Sequence, residues 1–324
     1  MYLAPDSDEL SIVEAAGGFL ADNSPTARLH REGGQDLSPE LRALLGEFGW
    51  FGLAVTESDG GSGLSAVEHA LFFRELGRNV GAVDVLAQCL AAMVAGDADL
   101  RAALLTGAAG VALAVSDSTG LRLLGSPDAA YALHAEPAQT RLLRIEPNAG
   151  EAVPSLDPAT SMRLLDASAA NVVATSPSAQ VWRMGQVGAA AMLVGVAEAA
   201  LDLIVEYAKV RETFGRPIGA YQAVRHPCAD MAVRVEAARA QLWYAATAMK
   251  EAHPDAGVHL DAAKHLANQA AVANADIGIQ LHGGIGVTDE HDAHLLLKHA
   301  LLLSRIFGAK RWLLGQLLHA QVEA

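Results

Sequence analysis

The chain has 324 residues, of which 52% are hydrophobic, and a formal net charge of −14. This acidic charge argues against nucleic acids and anionic membrane surfaces as partners, because both bind to basic surfaces. No uninterrupted apolar run reaches the roughly 18 residues of a membrane span, and the N-terminus lacks the features of a secretory signal, so we expect a cytoplasmic protein.

Residues 1–105 are predicted to be helical, because apolar residues recur every three to four positions in several segments. Ser38 and Pro39 suit the N-cap and the first position of one of these helices. A glycine-rich loop is predicted at residues 59–63, ahead of the later helices. The predicted helices are Leu10–Leu20, Leu37–Phe48, Ser65–Gly77 and Val83–Ala95.

The rest of the chain divides into a β-prone region, residues 106–180, and a second helical region, residues 181–324. Short runs separated by Gly, Pro, Asp and Asn predict a small β domain with strands at Val111–Val115, Leu121–Leu124, Tyr131–His134 and Leu142–Ile145. Long segments joined by short turns predict an antiparallel four-helix bundle formed by Met184–Val210, Gln222–Ala252, Ala256–Gln280 and Ala293–Gln321. We expect an Ala-rich face of the first of these helices and the apolar side of the last to be exposed as interfaces.

Three sequence motifs occur in a fixed order along the chain. A Gly-Gly-x-Gly loop precedes an acidic helix within Phe48–Arg78, an R-x-x-F-G-x-P-I-x-x-x-Q stretch lies within Val210–Met231, and a Q-x-x-G-G-x-G stretch spans Gln280–Gly286. In type and order these motifs resemble the acyl-CoA dehydrogenase family over nearly the whole chain. The resemblance implies a mainly α fold with an N-terminal helical domain, a reduced middle β domain and a C-terminal four-helix bundle.

In that family FAD lies between two subunits, and the second and third motifs of one subunit reach the pyrophosphate and adenosine end of the FAD of its neighbour. The resemblance therefore implies that this chain shares FAD with a partner. A guanidinium suits paired phosphates because its donors form a planar fork, and glycine lets a backbone approach a cofactor closely. The implied cofactor-binding residues are Arg211, Thr213, Phe214, Gln222, Gln280, Gly283 and Gly284.

Several of these residues also have a purely structural interpretation. Arg211 could form a surface ion pair with Glu206 or Glu212. The two glycines of the third motif could serve only a tight turn between helices. For Phe214, packing beneath its turn is the favoured interpretation.

The catalytic base of the family is missing at both positions where its members place it. The family reaction needs a carboxylate that removes the α proton of an acyl thioester, while the β hydrogen leaves as hydride to the flavin. Counting from the motifs, these positions hold Phe307 and Gly185, and residues 293–322 and 167–197 contain no Asp or Glu. We therefore predict no catalytic residue in this chain.

The middle region also departs from the family pattern. Members carry a T-E-P-x-A-G-S-D stretch and a Trp that line the isoalloxazine ring, whereas residues 106–180 have no Trp and Ala112–Pro127 stands at the expected place. The chain thus resembles the non-catalytic subunit of actinobacterial α2β2 acyl-CoA dehydrogenases of steroid side-chain degradation. That resemblance implies a homologous catalytic partner, an acyl-CoA substrate bound mainly by the partner, and an electron-transfer flavoprotein as acceptor.

Two other functions are compatible with the sequence. The chain could be a self-sufficient homomeric acyl-CoA dehydrogenase with a displaced base, for which Glu198, Asp289 and Glu290 are the candidates. It could also be a flavin-free scaffold or acyl-CoA-binding protein that uses the fold only for assembly. Flavin with turnover in the isolated chain favours the first, and absence of flavin even with a partner favours the second.

Overall fold

The computed structural model describes residues 5–31, 36–118 and 120–321. The helices are α1 (Ser7–Asn23), α2 (Pro39–Glu47), α3 (Ala66–Arg78), α4 (Val83–Val94), α5 (Ala98–Leu105), α6 (Gln180–Val210), α7 (Gln222–Lys250), α8 (Ala256–His282), α9 (Ala293–Leu303) and α10 (Lys310–His319). The strands are β1 (Val111–Asp117), β2 (Gly120–Leu124), β3 (Tyr131–Glu136), β4 (Gln139–Arg144), β5 (Glu151–Val153), β6 (Met162–Leu165), β7 (Asn171–Ser176), β8 (Glu212–Thr213) and β9 (Arg216–Pro217). The predicted order of helices, sheet and helices is confirmed.

Side-chain caps determine where the N-terminal helices begin. Ser38 Oγ accepts the Leu41 N–H at 3.2 Å and Pro39 is the first residue of α2, as predicted. At the start of α3, Ser65 and Glu68 form a capping box. Helix α5 was not predicted, because a helix of eight residues is too short for its apolar period to stand out.

The middle sheet has the strand order β5-β6-β2-β1-β3-β4-β7. Strands β1 and β3 run parallel, and the other neighbours in this sheet are antiparallel. The sequence predicts β1 to β4, with boundaries that differ by a few residues. It misses β5 to β7, since β5 has three residues and the first three residues of β7 are all exposed, which removes the alternating pattern.

Helix α6 is the central helix of the C-terminal bundle and packs against α3, α7, α8 and α9. Among the described residues, α6 is the one helix long and apolar enough to cross a membrane, but 78% of its most apolar window is buried inside the protein, as in a core helix. The expectation of an exposed Ala-rich face is therefore wrong for α6. The expected exposed apolar side of the last helix is wrong for α9, which buries Leu295, Leu296 and Leu303, and is met on α10, which exposes Leu314 and Leu318.

The predicted last helix is interrupted. Residues 293–319 form α9 and α10, and residues 304–309 break the helix between them. Within the break, Phe307 (φ +49°) and Gly308 (φ +116°) both adopt positive φ. A bulky residue rarely adopts this conformation, so the break is an unusual local structure, and it falls where the family places its base.

Two glycines allow α3 and α6 to approach each other closely. A Cβ atom at Gly195 of α6 would lie 2.0 Å from the Arg74 carbonyl oxygen, and one at Gly77 of α3 would lie 2.0 Å from the Met192 carbonyl oxygen. Neither backbone can yield without moving a whole helix. The distance between the two helices therefore leaves no room for a side chain at either position.

We expect Gly195→Ala to lower the free energy of unfolding by about 1–3 kcal/mol, because the new methyl group forces the helices apart. The matched control is Gly18→Ala in α1, where an added Cβ meets no atom within 4 Å. That variant should be neutral or more stable by up to about 1 kcal/mol. Urea unfolding of both variants measures the difference, and equal stabilities would contradict the close-packing argument.

Candidate functional site

The second motif forms a short hairpin between α6 and α7. Strand β8 pairs with β9, and the turn between them consists of Phe214 (φ +51°) and Gly215 (φ +78°). Two successive residues with positive φ are typical of a type I′ turn. The Tyr221 hydroxyl donates to the Thr213 carbonyl oxygen at 2.8 Å, which fixes the hairpin against the start of α7.

The third motif ends α8 and continues as a single 3₁₀ turn, Gly283–Val287, called here the glycine turn. Gly283 has a φ of +69°, so this position favours glycine. A Cβ atom at either Gly283 or Gly284 would meet no atom within 4 Å. The space beside the turn is open, and helix packing alone therefore does not account for the second glycine.

The hairpin and the glycine turn meet at a cavity of about 460 Å³, called here the motif cavity. Four of the seven residues predicted to bind the cofactor line it, namely Arg211, Thr213, Gly283 and Gly284. Two segments that are about 70 residues apart in the sequence are thus brought to one site. The other residues of its lining are Tyr207, Ile218, Leu281, His282 and Ile285.

Arg211 is an unpaired cation at the rim of this cavity. Glu206, one of the two partners considered for it, pairs with Lys209 at 2.5 Å instead. Within the part of the chain that the structure describes, no carboxylate lies within ion-pair distance of the Arg211 side chain. A free guanidinium beside a glycine turn suits a phosphate group, because it offers parallel donors without first breaking an ion pair.

Three predicted residues lie outside the lining of the motif cavity. Phe214 is 98% exposed, so the interpretation that it packs beneath the turn is wrong. Gln222 is the first residue of α7, Gln280 lies in the last turn of α8, and both are exposed. A bulky aromatic residue held at positive φ and left in solvent is costly, which favours a contact with another molecule.

Two aromatic residues of the cavity were missed by sequence reasoning. The His282 ring lies 4.7 Å from that of Tyr207 and 4.4 Å from that of His291. His282 Nδ1 donates to the Gly278 carbonyl oxygen at 2.7 Å, and burial lowers the pKa of the imidazole. His282 directly precedes the paired glycines, and Tyr207 lies one helical turn before Arg211. Their closeness to the two motifs was the sequence feature that could have identified them.

The two positions at which the base is missing lie against each other. A Cβ atom at Gly185 would be 2.1 Å from Phe307 Cε1, so the Phe307 ring occupies the space beside Gly185. Phe307 is 4% exposed, and its ring centroid lies 5.4 Å from that of Trp182. Trp182 in turn lies 5.7 Å from Trp312. The family's base positions are thus filled by an aromatic cluster.

This cluster faces the middle sheet across a cleft of about 250 Å³. On the sheet side the cleft is lined by residues 113–116, which belong to the segment expected to hold the flavin ring, and by His134. Ligand sites usually have volumes of about 300–1,000 Å³. The cleft is smaller than this range, which argues against a complete site for a flavin ring together with an acyl thioester.

A buried lysine supports the segment that carries Phe307. Lys264 Nζ donates to the Leu303 carbonyl oxygen at 3.2 Å and to Asn268 Oδ1 at 2.7 Å. Asn268 Nδ2 donates to the Gly308 carbonyl oxygen at 3.3 Å. Burial lowers the pKa of Lys264 to about 7. These bonds connect α8 to the backbone on both sides of Phe307 at the break between α9 and α10.

None of the three carboxylates considered as a displaced base lines this cleft. Glu198 is 5% exposed and contacts three guanidinium groups, those of Arg74 at 2.8 Å, Arg78 at 3.2 Å and Arg239 at 3.4 Å. These three ion pairs occupy the Glu198 carboxylate at a site that does not line the cleft. Asp289 and Glu290 are exposed next to the glycine turn.

Comparison with known proteins agrees with this architecture. The family model for the acyl-CoA dehydrogenase N-terminal domain matches residues 6–110, and the model for the acyl-CoA dehydrogenase C-terminal domain matches residues 180–320. Acyl-CoA dehydrogenase FadE34 of Mycobacterium tuberculosis is 36% identical over 305 residues, which cover 87% of this chain. This chain spans only 42% of the length of FadE34.

Other relatives match the chain from end to end. Acyl-CoA dehydrogenase IpdE2 of Mycobacterium tuberculosis is 31% identical over 325 residues, covering 97% of this chain and 98% of IpdE2. Among solved structures, the Tcur3481–Tcur3483 steroid ACAD superposes with a TM-score of 0.77 at 25% identity, over 96% of each chain.

Proposed function

Since this chain belongs to the acyl-CoA dehydrogenase family, we propose that it is the non-catalytic subunit of a heteromeric acyl-CoA dehydrogenase. The complex would be an oxidoreductase that introduces an α,β double bond into an acyl-CoA thioester. In this proposal the chain completes the FAD site of a homologous partner, and the partner carries the base and the substrate.

The observation that carries the proposal is the contact between Phe307 and Gly185. Both positions at which the family places its base lack a carboxylate, and the ring of Phe307 fills the space beside Gly185. A carboxylate side chain at Gly185 would collide with that ring, so a substitution at Gly185 alone does not recreate an acid–base site. The small cleft next to this contact supports the same conclusion for the flavin ring.

The motif cavity supports the second half of the proposal. Its unpaired Arg211 and open glycine turn fit an extended anionic group such as a pyrophosphate, and they lie at the surface, where a neighbouring chain can present one. FAD, when bound by the partner, supplies the hydride acceptor of the reaction. Arg211, Thr213 and the glycine turn would bind its pyrophosphate, while Phe214, Gln222 and Gln280 would extend the contact across the interface.

The substrate and the assembly follow by analogy. A steroid side-chain CoA thioester is the proposed substrate class, supported by the similarity to a solved steroid ACAD that covers nearly the whole chain. The proposed assembly is a heterotetramer of two such chains and two catalytic subunits. We further propose that it is cytoplasmic and passes its electrons to an electron-transfer flavoprotein.

Flavin content and turnover test the proposal. The chain is purified alone and co-expressed with a base-bearing homologue encoded beside its gene, and released FAD and acyl-CoA desaturation are measured for both preparations. The chain alone should lack flavin and activity, and the complex should have both. Turnover by the chain alone would establish the homomeric enzyme instead, and a stable complex without flavin would establish the scaffold.

A further inference from the structure

A histidine from the N-terminal region contacts the segment that follows the glycine turn. His30 is the last residue of a 3₁₀ helix, Thr26–His30. Its Nε2 lies 2.6 Å from Asp292 Oδ1, and its Nδ1 lies 2.7 Å from the carbonyl oxygen of Asp289. The two contacts connect the beginning of the chain to the residues that link the glycine turn to α9.

Both ring nitrogens of His30 therefore face atoms that only accept hydrogen bonds. A neutral imidazole carries one N–H, so either neutral tautomer leaves a lone pair pointing at the Asp292 carboxylate or at the Asp289 carbonyl. Only the imidazolium donates to both. The geometry thus specifies a positively charged His30, and the hydrogen bond that the ring donates to the Asp292 carboxylate accordingly raises the pKa of the histidine.

The charged groups around His30 come from two parts of the chain. From the segment after the glycine turn, Asp289, Glu290 and Asp292 favour the imidazolium, and the neighbouring His294 is buried with its pKa lowered by burial. On the side of His30 itself, the Arg28 guanidinium is directed away into backbone carbonyl groups, including those of residues 79 and 80. Arg31 is exposed. Carboxylates therefore dominate the surroundings of the ring.

The segment held by His30 packs directly on the motif cavity. Between Asp289 and Asp292 lies His291, whose ring centroid is 4.4 Å from that of His282. His282 lines the cavity and directly precedes the glycine turn. Residues 288–292 are therefore linked to the glycine turn through one ring contact and through the chain itself.

We propose that the His30 imidazolium is a positioning residue for the FAD half-site, which holds residues 288–292 and thereby keeps the glycine turn in the form that receives the pyrophosphate. This inference rests on the proposed function. It predicts that proton binding at His30 and FAD binding by the complex favour each other, as any two coupled binding events must.

The sign of the pH effect follows from the raised pKa of His30. The contribution of the contact is fully present below the ordinary histidine value of 6.5 and is lost as the pH rises through the higher value of the folded protein. FAD affinity should therefore decrease with increasing pH above 6.5. If proton binding at His30 and FAD binding are coupled as strongly as is usual between two sites, the FAD affinity should decrease by about fivefold or more.

The test is an FAD titration of the purified heteromeric complex from about pH 5.5 to about pH 9, the range in which histidines titrate. The wild-type affinity should fall by about fivefold across this range. At every pH, the His30→Gln complex should bind FAD with the weaker affinity that the wild type shows at high pH. Asp292→Asn should move the transition to lower pH, because it removes the carboxylate that stabilises the imidazolium. His319→Gln, at an exposed histidine of α10, is the control and should keep the wild-type profile.

Two further measurements make the result decisive. Exchange of the histidine C2 hydrogen, followed by mass spectrometry, reports the pKa of His30 in the complex, and a value at or below 6.5 overturns the proposal even if His30→Gln fails to fold. Arg211→Ala separates this proposal from the proposed function. If Arg211→Ala weakens FAD binding but His30→Gln keeps the wild-type pH profile, only the role of His30 is wrong. If Arg211→Ala has no effect on FAD binding, the half-site itself is wrong.

Discussion

A complex that carries Phe307→Glu is expected to turn over no faster than the wild-type complex and to be less stable. The substitution restores a carboxylate at one of the family's base positions. It does so beside a cleft of about 250 Å³, which is smaller than the usual ligand site. The loss of stability should be about 3–5 kcal/mol, because a packed ring is removed and a carboxyl group is buried against Trp182 and Gly185.

Phe307→Leu is the matched control for this experiment. It keeps an apolar side chain at the same positive φ and should cost only about 1 kcal/mol. Both variants are compared in urea unfolding and in turnover per complex, with wild-type catalytic subunit throughout. A doubling of turnover by Phe307→Glu but not by Phe307→Leu would mean that this chain retains a usable site of its own.

The sequence predicts the order of the elements because the long helices carry their own signals. The apolar period locates α6, α7 and α8, and Ser38 and Ser65 mark helix starts that the structure confirms. The break between α9 and α10 is not predictable in this way. It is stabilised by buried hydrogen bonds from Lys264 and Asn268, which lie on α8 and leave no pattern in the local sequence.

In the candidate site, too, features encoded in the local sequence were predictable and features that depend on long-range packing were not. The motifs identify Arg211, Thr213 and the paired glycines, since each residue type has a chemical reason to stand near a phosphate. The contact between Phe307 and Gly185 depends on how α6 packs against the break between α9 and α10, so the sequence indicates the missing base but not the ring that fills its place. The prediction that Phe214 packs beneath its turn was wrong, because the hairpin turn directs the ring into solvent.

Arg211→Ala is expected to weaken FAD binding by the complex about 10- to 150-fold. The substitution removes a charge-assisted hydrogen bond to a phosphate, which contributes about 1.5–3 kcal/mol, and each 1.4 kcal/mol is about tenfold in affinity. The base belongs to the partner and is untouched, so turnover should return when excess FAD is added. The FAD affinity of the Arg211→Lys complex should lie between those of the wild type and Arg211→Ala, because lysine keeps the charge but loses the planar fork of donors.

The number of flavins per complex tests the same idea independently. Each FAD needs one chain that binds its ring and another that binds its pyrophosphate, and this chain offers only the second kind of half-site. A heterotetramer with two copies of each subunit should therefore release two FAD molecules, and four would refute the half-site model.

Arg311→Ala, at an exposed arginine of α10, is the control for the loss of a positive charge in Arg211→Ala. If Arg211→Ala binds FAD as tightly as Arg311→Ala does, Arg211 is not part of the site, whereas selective weakening together with two flavins per tetramer assigns the pyrophosphate half-site to this chain.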